Sequence, residues 1–446
     1  MKIYFRTFGC KVNQYETAAL ADMFAGRGDD ICDSPESADV CIVNTCSVTA
    51  ESDSKAAQAV RKLRRLVPSC VIAVTGCLPQ ACKNISELLP EADIVCGTKD
   101  RASLPALIDD FIRERERKIY VPRYSKDDPF EDFSCRSIPG HTRAFLKIQD
   151  GCDCFCTYCI IPYSRGHMRS KPLDSLRKDA EALADAGYSE IVLTGINLAF
   201  YGAGQGFDLS DAVRVCSSVG GVKRIRLSSL EPEMLTESLI SRLADVSGLC
   251  PSFHISLQSG CGKILKAMKR RYDPDVYFGI VRAVRKAFPE CSVTTDIMTG
   301  FPGETEEDHR KSLEFVKKIN FSGMHVFPYS ARPGTPAASM DGQVPQEIKR
   351  RRAAEMSEAG EKMQRAFLET HIGHTFPVLF EREKGDGYHR GHTPDYTCVK
   401  ILTKNSEKSL RGNIFYVTIE KTEDGCCIGR LADEPLSGNS LRNSVL

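Results

Sequence analysis

Short apolar segments alternate with amphipathic helical segments over most of this chain, and this alternation constrains its fold more than any other feature. Strands that are apolar on both faces and separated by helices are typical of a parallel sheet covered by helices. We therefore expect an α/β domain over residues 1–125. Its predicted strands are residues 2–8, 39–43, 70–74 and 92–95, and its predicted helices are residues 15–25, 52–66, 85–89 and 104–115.

A second alternating series follows a charged, proline-containing segment, residues 126–140, which we interpret as a linker. Between residues 141 and 371, six predicted strands favour a partial (β/α)6 barrel over a closed eight-stranded one. Residues 372–446 have short strands between glycine-containing turns, which predicts a small all-β module. The predicted strands are residues 144–148, 190–193, 224–227, 253–257, 292–297 and 325–328 in the barrel, and 376–381, 396–402 and 415–420 in the module.

Twenty cysteines in 446 residues are the unusual part of the composition. A secreted disulfide scaffold would be short and rich in loops, so this long periodic chain indicates metal ligands, catalysis or small buried thiols in a reducing compartment. The N-terminus lacks a signal-peptide core and no apolar run could span a bilayer. We therefore expect a cytoplasmic protein without a membrane partner. Because the formal net charge is +1, any surface that binds nucleic acid must be local.

The clearest chemical motif is the C-x3-C-x2-C spacing of Cys152, Cys156 and Cys159, the central trio, just after a predicted strand. Three thiolates on one tight loop can hold three irons of a [4Fe-4S] cluster and leave the fourth iron open for a chelating small molecule. The alternatives are incidental cysteines or a four-thiolate zinc site that includes Cys154. Zinc usually takes two separated C-x2-C pairs, and no second pair is evident. We favour the cluster, with Cys154 as a bystander.

Three further cysteines, Cys10, Cys46 and Cys77, form a second set, the N-terminal trio. Each lies just past the end of a predicted strand, and in a parallel sheet these ends meet at the edge where open α/β sheets bind ligands. Gly9 and Gly76 permit tight turns immediately before two of them. The alternative is that they are small buried residues, but their three equivalent positions favour a second [4Fe-4S] cluster with one open iron.

The central loop resembles that of the radical S-adenosylmethionine (SAM) enzymes. This resemblance implies that a cluster cleaves bound SAM homolytically and that the resulting deoxyadenosyl radical abstracts a hydrogen from an unactivated carbon. With the N-terminal trio and the β module, the whole chain is similar to the methylthiotransferases, which carry an N-terminal cluster domain, a radical SAM domain and a TRAM module. The family implies an enzyme with SAM and two [4Fe-4S] clusters as cofactors. The central trio would hold the cluster that cleaves SAM, and the N-terminal trio the cluster that presents sulfur.

Three segments resemble the family branch that acts on threonylcarbamoyladenosine in tRNA. The branches for isopentenyladenosine in tRNA and for a ribosomal-protein aspartate usually have other residues after the first cysteine. The resemblance implies methylthiolation of carbon 2 beside the anticodon, with tRNA, a reductant such as flavodoxin or ferredoxin, and a sulfur donor as partners. One alternative is an enzyme of the same family that acts on isopentenyladenosine in tRNA or on a ribosomal-protein aspartate. The other is a non-catalytic iron–sulfur protein that binds RNA or senses redox state. The segments are residues 9–17 (GCKVNQYET), 194–197 (TGIN) and 296–305 (DIMTGFPGET).

The resemblance also guides the expected contacts with SAM and substrate at the strand ends of the barrel. For each SAM position, a turn or a satisfied core polar group is an equal alternative. Arg332 would pair with the carboxylate of the threonylcarbamoyl group, and a surface ion pair is its alternative. The expected SAM contacts are Tyr158 with the adenine, Thr194 and Gly195 with the methionyl group, and Ser228, Ser229 and Glu231 with the ribose.

Candidate RNA contacts are local. Residues 61–65, 269–271 and 349–352 are basic clusters that suit phosphate contact, although a solvated helix face is at least as plausible for each. Residues 376–446 contain ten basic and ten acidic residues. The module therefore has no net charge with which to hold RNA, and stacking by Tyr388, His389 and His392 would have to contribute.

Overall fold

A six-stranded sheet forms the N-terminal domain of this computed structural model, which describes residues 1–138, 140–381, 386–403 and 409–432. Its strands are β1 (Lys2–Thr7), β2 (Asp30–Cys32), β3 (Val40–Thr45), β4 (Val71–Gly76), β5 (Ile94–Cys96) and β6 (Lys118–Tyr120), and its helices are α1 (Lys11–Gly26), α2 (Ala50–Leu66), α3 (Cys77–Ala81), α4 (Ile85–Leu88) and α5 (Leu104–Glu114). The strands pair in the order β2-β1-β3-β4-β5-β6, all parallel. Apolar clusters on both faces bury β3 and β4 completely.

Six parallel strands form the central partial barrel and confirm the predicted fold. The strands of this domain are β7 (Ala144–Lys147), β8 (Gln149–Asp150), β9 (Arg169–Ser170), β10 (Glu190–Thr194), β11 (Arg224–Leu227), β12 (Ser252–His254), β13 (Ser292–Thr299) and β14 (Gly323–Pro328), of which all but β8 and β9 belong to the barrel. Two three-stranded sheets, β7-β10-β11 and β12-β13-β14, continue into one another through the parallel bridges Ile225–Leu249 and Leu230–Ile255. β8 and β9 pair separately as a short antiparallel ribbon.

Helices cover the outside of the barrel, and their ends follow local sequence. They are α6 (Ile161–Arg165), α7 (Leu173–Asp185), α8 (Leu209–Ser217), α9 (Glu237–Ala244), α10 (Gly262–Ala267), α11 (Pro274–Ala287), α12 (Glu306–Ile319) and α13 (Gln346–Glu369). In α12, Thr305 and Asp308 form a capping box, and Asn320 ends the helix with a φ of 58°. Within the described ranges, no helix combines the length and the apolar character needed to cross a membrane.

A closed five-stranded barrel forms the C-terminal module and confirms the predicted all-β fold. Its strands are β15 (Thr375–Phe380), β16 (Tyr388–His392), β17 (Cys398–Leu402), β18 (Ile414–Glu423) and β19 (Cys426–Leu431), in the order β15-β16-β17-β19-β18. Val378, Phe380, Val399 and Val417 fill its interior. The predicted module runs to residue 446, but residues 382–385, 404–408 and 433–446 lie outside the described part of the chain.

The segment predicted as a linker packs between the domains. Phe133 and Cys135 are buried in the main apolar core, and the hydroxyl of Tyr15, on α1, donates to the Phe133 carbonyl at 2.6 Å. Glu131 pairs with Arg101 at 3.0 Å. The charge and proline content of this segment, which report local propensity, predicted a linker. They do not report tertiary packing, and the structure shows that the apolar side chains of the segment are buried by both neighbouring domains.

Candidate functional site

The N-terminal trio lies at one edge of the sheet, because its cysteines follow the ends of β1, β3 and β4. Asn13 joins the first two loops: its side-chain amide donates to the carbonyls of Phe8 and Thr45, both at 2.9 Å. Thr45 joins the third loop, since its hydroxyl donates to the Thr75 carbonyl at 2.7 Å. These bonds hold together three loops that are distant in sequence.

Two glycines allow this close approach. Gly9 and Gly76 have φ angles of 107° and 106°, a region that other residues rarely adopt. A Cβ atom on Gly9 would lie 2.6 Å from Cβ of Cys46, and one on Gly76 would lie 2.4 Å from the Thr45 carbonyl oxygen. Cys46 therefore lies directly against the turn that precedes Cys10. Burial raises the pKa of the Cys46 thiol to about 12.

The central trio lies on the loop between β8 and α6. The Sγ atom of Cys152 accepts hydrogen bonds from the backbone N–H of Cys154 at 3.5 Å and from Nδ2 of Asn197 at 3.6 Å. Hydrogen bonding from Cys154, with a further contribution from Asn197, lowers the pKa of Cys152 to about 6. Hydrogen bonds donated to the sulfur stabilise the thiolate, which is the form that binds metal.

Each trio has one buried arginine that donates a hydrogen bond to a sulfur atom. Nε of Arg165 donates to Sγ of Cys77 at 3.3 Å, and Nη1 of Arg270 donates to Sγ of Cys156 at 3.3 Å. A guanidinium beside a thiol favours the thiolate. Both donor sets, with three sulfurs and one adjacent cation each, therefore have the chemistry that an iron–sulfur cluster requires.

The described residues contain no site for a single metal ion. Among the residues that the structure describes, no three His, Cys, Asp or Glu side chains are close enough together to hold one ion. A [4Fe-4S] cluster distributes three thiolates over three irons, so its ligands stand farther apart than those of a tetrahedral zinc site.

A buried network of charges connects the two trios. The Glu16 carboxylate accepts from Nη1 of Arg165 at 2.8 Å and pairs with Lys147 at 2.7 Å and Arg101 at 3.0 Å. Arg165 also donates to Asp150 at 3.1 Å, just before the loop of the central trio. Burial alone would raise the pKa of Glu16, but the charges of Arg101, Arg165 and Lys147 outweigh it and bring the pKa to about 2.

Two of the predicted SAM contacts lie beside the central trio. Tyr158 packs edge-on against Phe301, with ring centroids 6.5 Å apart. Glu231 forms an ion pair with Arg270, the arginine that also contacts Cys156. The structure thus places both residues near the sulfur atoms and gives the Glu231 carboxylate a partner within the protein.

The remaining predicted SAM contacts lie at the ends of β10 and β11. A Cβ atom on Gly195 would lie 2.8 Å from Cβ of Gln149, so close packing already accounts for glycine at this position. Thr194 is buried and Ser229 is exposed. The hydroxyl of Ser228 is buried and has no hydrogen-bond partner in the described residues, which leaves it available to a ligand.

Arg332 has a partner that sequence reasoning did not identify. Its guanidinium is buried and pairs with Asp53, and Nη2 donates to the Ser47 hydroxyl at 2.9 Å. Both partners belong to the N-terminal domain. The carboxylate that Arg332 contacts is therefore part of the protein, and the arginine links the barrel to the loop after β3.

The proposed RNA-binding side chains are largely engaged within the protein. His389 is buried. His392 pairs with Glu381 at 2.7 Å and stacks on Tyr396 with ring centroids 4.4 Å apart. In the basic clusters, Arg64 pairs with Asp93 at 2.6 Å and Arg352 with Glu304 at 2.8 Å. Other members of these clusters, such as Arg61, Lys62 and Arg350, are exposed.

All three predicted domains line a cavity of about 650 Å³. Its walls include Lys11 and Gln14 of α1, the barrel strands β7, β10 and β11, and Tyr396 of the C-terminal module. Because Lys11 follows Cys10 directly, the cavity lies beside the N-terminal trio. The residues that line it are Lys11, Gln14, Gly140, His141, Thr142, Arg143, Phe145, Val192, Arg226, Glu381 and Tyr396.

The fold and the two thiol trios define a radical SAM enzyme with an added N-terminal domain. The family model of the radical SAM superfamily matches residues 146–316, and that of the uncharacterized protein family UPF0004 matches residues 2–97. Full-length relatives extend the match over nearly the whole chain. The chain belongs to the radical SAM methylthiotransferase family.

Two kinds of relative match almost the entire chain. The threonylcarbamoyladenosine tRNA methylthiotransferase MtaB of Bacillus subtilis is 37% identical over 94% of this chain and 94% of its own length, and the MtaB of Aquifex aeolicus is 34% identical over 86% and 93%. The tRNA-2-methylthio-N(6)-dimethylallyladenosine synthase of Rickettsia canadensis is 33% identical over 96% and 99%.

Solved structures support the fold alone. The radical S-adenosylmethionine methyltransferase TsrM from Kitasatospora setae superposes with a TM-score of 0.57, at 15% identity, over 76% of this chain and 77% of its own. The cobalamin-dependent S-adenosylmethionine radical enzyme OxsB superposes with a TM-score of 0.52, at 11% identity, over 81% and 56%.

Proposed function

We propose that this chain is a tRNA methylthiotransferase that modifies carbon 2 of threonylcarbamoyladenosine beside the anticodon. The observation that carries the proposal is the 37% identity, over 94% of both chains, to a relative whose name gives this substrate. The segment GCKVNQYET, residues 9–17, supports the same branch. Isopentenyladenosine is the second candidate substrate, because relatives named for dimethylallyladenosine match at 33–34% identity over 96% of the chain.

The residues fit two [4Fe-4S] clusters and SAM. When bound, the cluster on the central trio would supply the homolytic cleavage of SAM, and the one on the N-terminal trio would supply sulfur. Arg270 and Arg165 hold positive charge against one sulfur of each trio. Around the central trio, Tyr158, Thr194, Gly195, Ser228, Ser229 and Glu231 stay the predicted SAM contacts.

The cavity beside the N-terminal trio suits a nucleoside. A volume of about 650 Å³ is within the usual range for small-molecule sites. Phe145 and Val192 form an apolar part of its wall, while Gln14 and Arg143 provide hydrogen-bonding groups. An adenosine that unstacks from a tRNA loop, at a cost of a few kcal/mol, would lose its stacking contacts with the neighbouring bases. Contacts with the cavity walls would replace them and exclude water from the base.

A direct assay separates the candidate substrates. The anaerobically reconstituted protein is incubated with SAM, a reductant and a sulfur source, and with tRNA carrying threonylcarbamoyladenosine, tRNA carrying isopentenyladenosine, or the ribosomal protein. We expect a methylthio mass gain on the threonylcarbamoyl nucleoside only. A gain on either other substrate, and none on threonylcarbamoyladenosine, would overturn the proposal, and a complete absence of deoxyadenosine release would favour a non-catalytic protein.

Cysteine variants test the division of labour between the trios. Cys152→Ala should abolish deoxyadenosine release and methylthiolation. Cys10→Ala should keep deoxyadenosine release, lose methylthiolation and bind about four irons instead of about eight, because only one cubane would remain. Cys216→Ala, at a buried cysteine of α8 outside both trios, is the matched control and should keep both activities. Loss of SAM cleavage in Cys10→Ala, with the central cluster intact by its iron content, contradicts this assignment.

A further inference from the structure

Lys11 projects a positive charge into the cavity and has no ion-pair partner among the described residues. It is the first residue of α1, directly after Cys10, and it lines the cavity together with Arg143 and Arg226. Its side chain is exposed, and it lines this cavity. Among the residues that the structure describes, no carboxylate lies within ion-pair distance of its ammonium group.

The two arginines on the same wall are already engaged. Nε of Arg143 and Nε of Arg226 both contact one oxygen of Glu190, at 3.0 and 2.9 Å. Arg143 also pairs with Glu381 at 2.8 Å, and both guanidinium groups lie over the ring of Tyr396 at 5.2 and 4.5 Å. These contacts fix the arginines in place, so Lys11 is the cation of this wall that can reorient towards a ligand.

Polar atoms without partners point to a ligand at the same place. Oε1 of Gln14 and Nη2 of Arg143 are buried, and neither has a hydrogen-bond partner in the described part of the chain. Both residues line the cavity. A buried polar atom without a partner costs about 1–3 kcal/mol. The open donor of Arg143 beside the Lys11 cation therefore suits a negatively charged group, and the open acceptor of Gln14 suits a hydrogen-bond donor of the same ligand.

We propose that Lys11 binds the carboxylate of the threonylcarbamoyl group and thereby selects this nucleoside over one with an apolar substituent. The inference rests on the proposed function and deepens it. The threonyl substituent on N6 ends in a free carboxylate, whereas an isopentenyl group is an uncharged hydrocarbon. The lysine ammonium can donate up to three hydrogen bonds to such a carboxylate. Lys11 therefore takes the role that sequence reasoning gave to Arg332, which contacts Asp53 instead.

The test compares two anticodon stem-loops that differ at one group. One carries threonylcarbamoyladenosine. In the other, the carboxylate of the threonyl group is replaced by a carboxamide, which keeps the shape of the substituent and removes its negative charge. The Kd of each for reconstituted holoenzyme is measured by fluorescence anisotropy without reductant, and kcat/KM is measured with reductant. We expect the wild type to prefer the carboxylate by about 10- to 100-fold, the range for a charge-assisted hydrogen bond.

Variants assign this preference to Lys11. Lys11→Met should bind both stem-loops equally, at the level of the carboxamide with the wild type, and Lys11→Arg should keep most of the preference. Lys286→Met, at an exposed lysine of α11, is the matched control and should behave as the wild type. Iron content is measured for every variant, and Lys11→Gln, which also removes the charge but keeps a polar side chain, replaces Lys11→Met in the comparison if the latter fails to load clusters.

Three results would overturn the inference in distinguishable ways. A full preference for the carboxylate in Lys11→Met would place the contact on another residue. An equal loss of affinity for both stem-loops would show that Lys11 contacts a tRNA phosphate, which the two share. Methylthiolation of an isopentenyladenosine stem-loop, with none of the threonylcarbamoyl one, would overturn the proposed function itself.

Discussion

Replacing Glu16 by Gln should destabilise the contact between the N-terminal domain and the barrel. The side chain is fully buried and keeps nearly the same shape, but the variant removes the negative charge that faces Arg101, Arg165 and Lys147. The pKa of Glu16 is about 2 in the folded chain, against an ordinary value of 4.5. The difference corresponds to about 3 kcal/mol of folding stability at neutral pH. Loss of one partner from a buried ion pair costs about 3–5 kcal/mol, so both arguments give the same magnitude.

The contribution of Glu16 to folding stability depends on pH in a defined direction. Because the pKa of Glu16 is lower in the folded chain than in the unfolded one, its contribution is fully present above pH 4.5 and is lost as the pH falls from there towards 2. The stability difference between wild type and Glu16→Gln should therefore be the same at pH 7 and pH 5 and should narrow below pH 4.5.

Urea unfolding followed by circular dichroism measures this difference. The first transition is the relevant one, since a multidomain chain need not unfold in a single step. Glu314→Gln, at an exposed glutamate of α12 that pairs only with Arg310 at 3.4 Å, is the control and should leave the midpoint unchanged. If Glu16→Gln unfolds at the same urea concentration as this control at pH 7, or if the gap widens at low pH, the reasoning about the buried network is refuted.

Two further predictions concern contacts between domains. Arg332→Met should lower the Tm, because it leaves the half-buried Asp53 carboxylate without its cation. It should keep the wild-type preference for the carboxylate stem-loop, and loss of that preference would return the substrate role to Arg332. Tyr396→Leu should lose about 1 kcal/mol of stability as the ring leaves Arg143 and Arg226. Tyr396→Phe keeps the ring but loses the 3.4 Å hydrogen bond that the hydroxyl accepts from Arg143, so its Tm should lie between those of Tyr396→Leu and the wild type. Equal Tm values for the two variants would rule out the cation–π contribution.

The sequence predicted the positions of the trios because their signal is local. Cys10, Cys46 and Cys77 follow apolar strands, and a parallel sheet brings the ends of such strands to one edge. The short edge strands β2 and β6 were missed, since three residues carry too little pattern to identify a strand. The module strand β16 was missed because Gly391 interrupts its pattern; this glycine lies against β15, where a Cβ atom would be 2.5 Å from the Leu379 carbonyl oxygen.

The charged partners of the trios could not be predicted in the same way. Arg165 and Glu16 are 149 residues apart in sequence, and no local pattern indicates that they pair. Asn197 and Arg270 likewise contact Cys152 and Cys156 only through the folding of the barrel. The single available signal was that Arg165 belongs to the short α6 that follows the central trio. Periodicity predicts elements, but ion pairs between domains depend on how those elements meet.

The arginine that contacts Cys77 belongs to the barrel, not to the domain that carries Cys77. The buried network around it contains the cations Arg101, Lys147, Arg165 and Arg169 and the carboxylates of Glu16, Glu131 and Asp150. One positive charge is therefore left over, and it lies where a thiolate ligand can neutralise it. The N-terminal trio thus acquires its cation only when the two domains dock. Under the proposed assignment of a cluster to this trio, docking of the two domains brings a positive charge against one of its sulfur ligands.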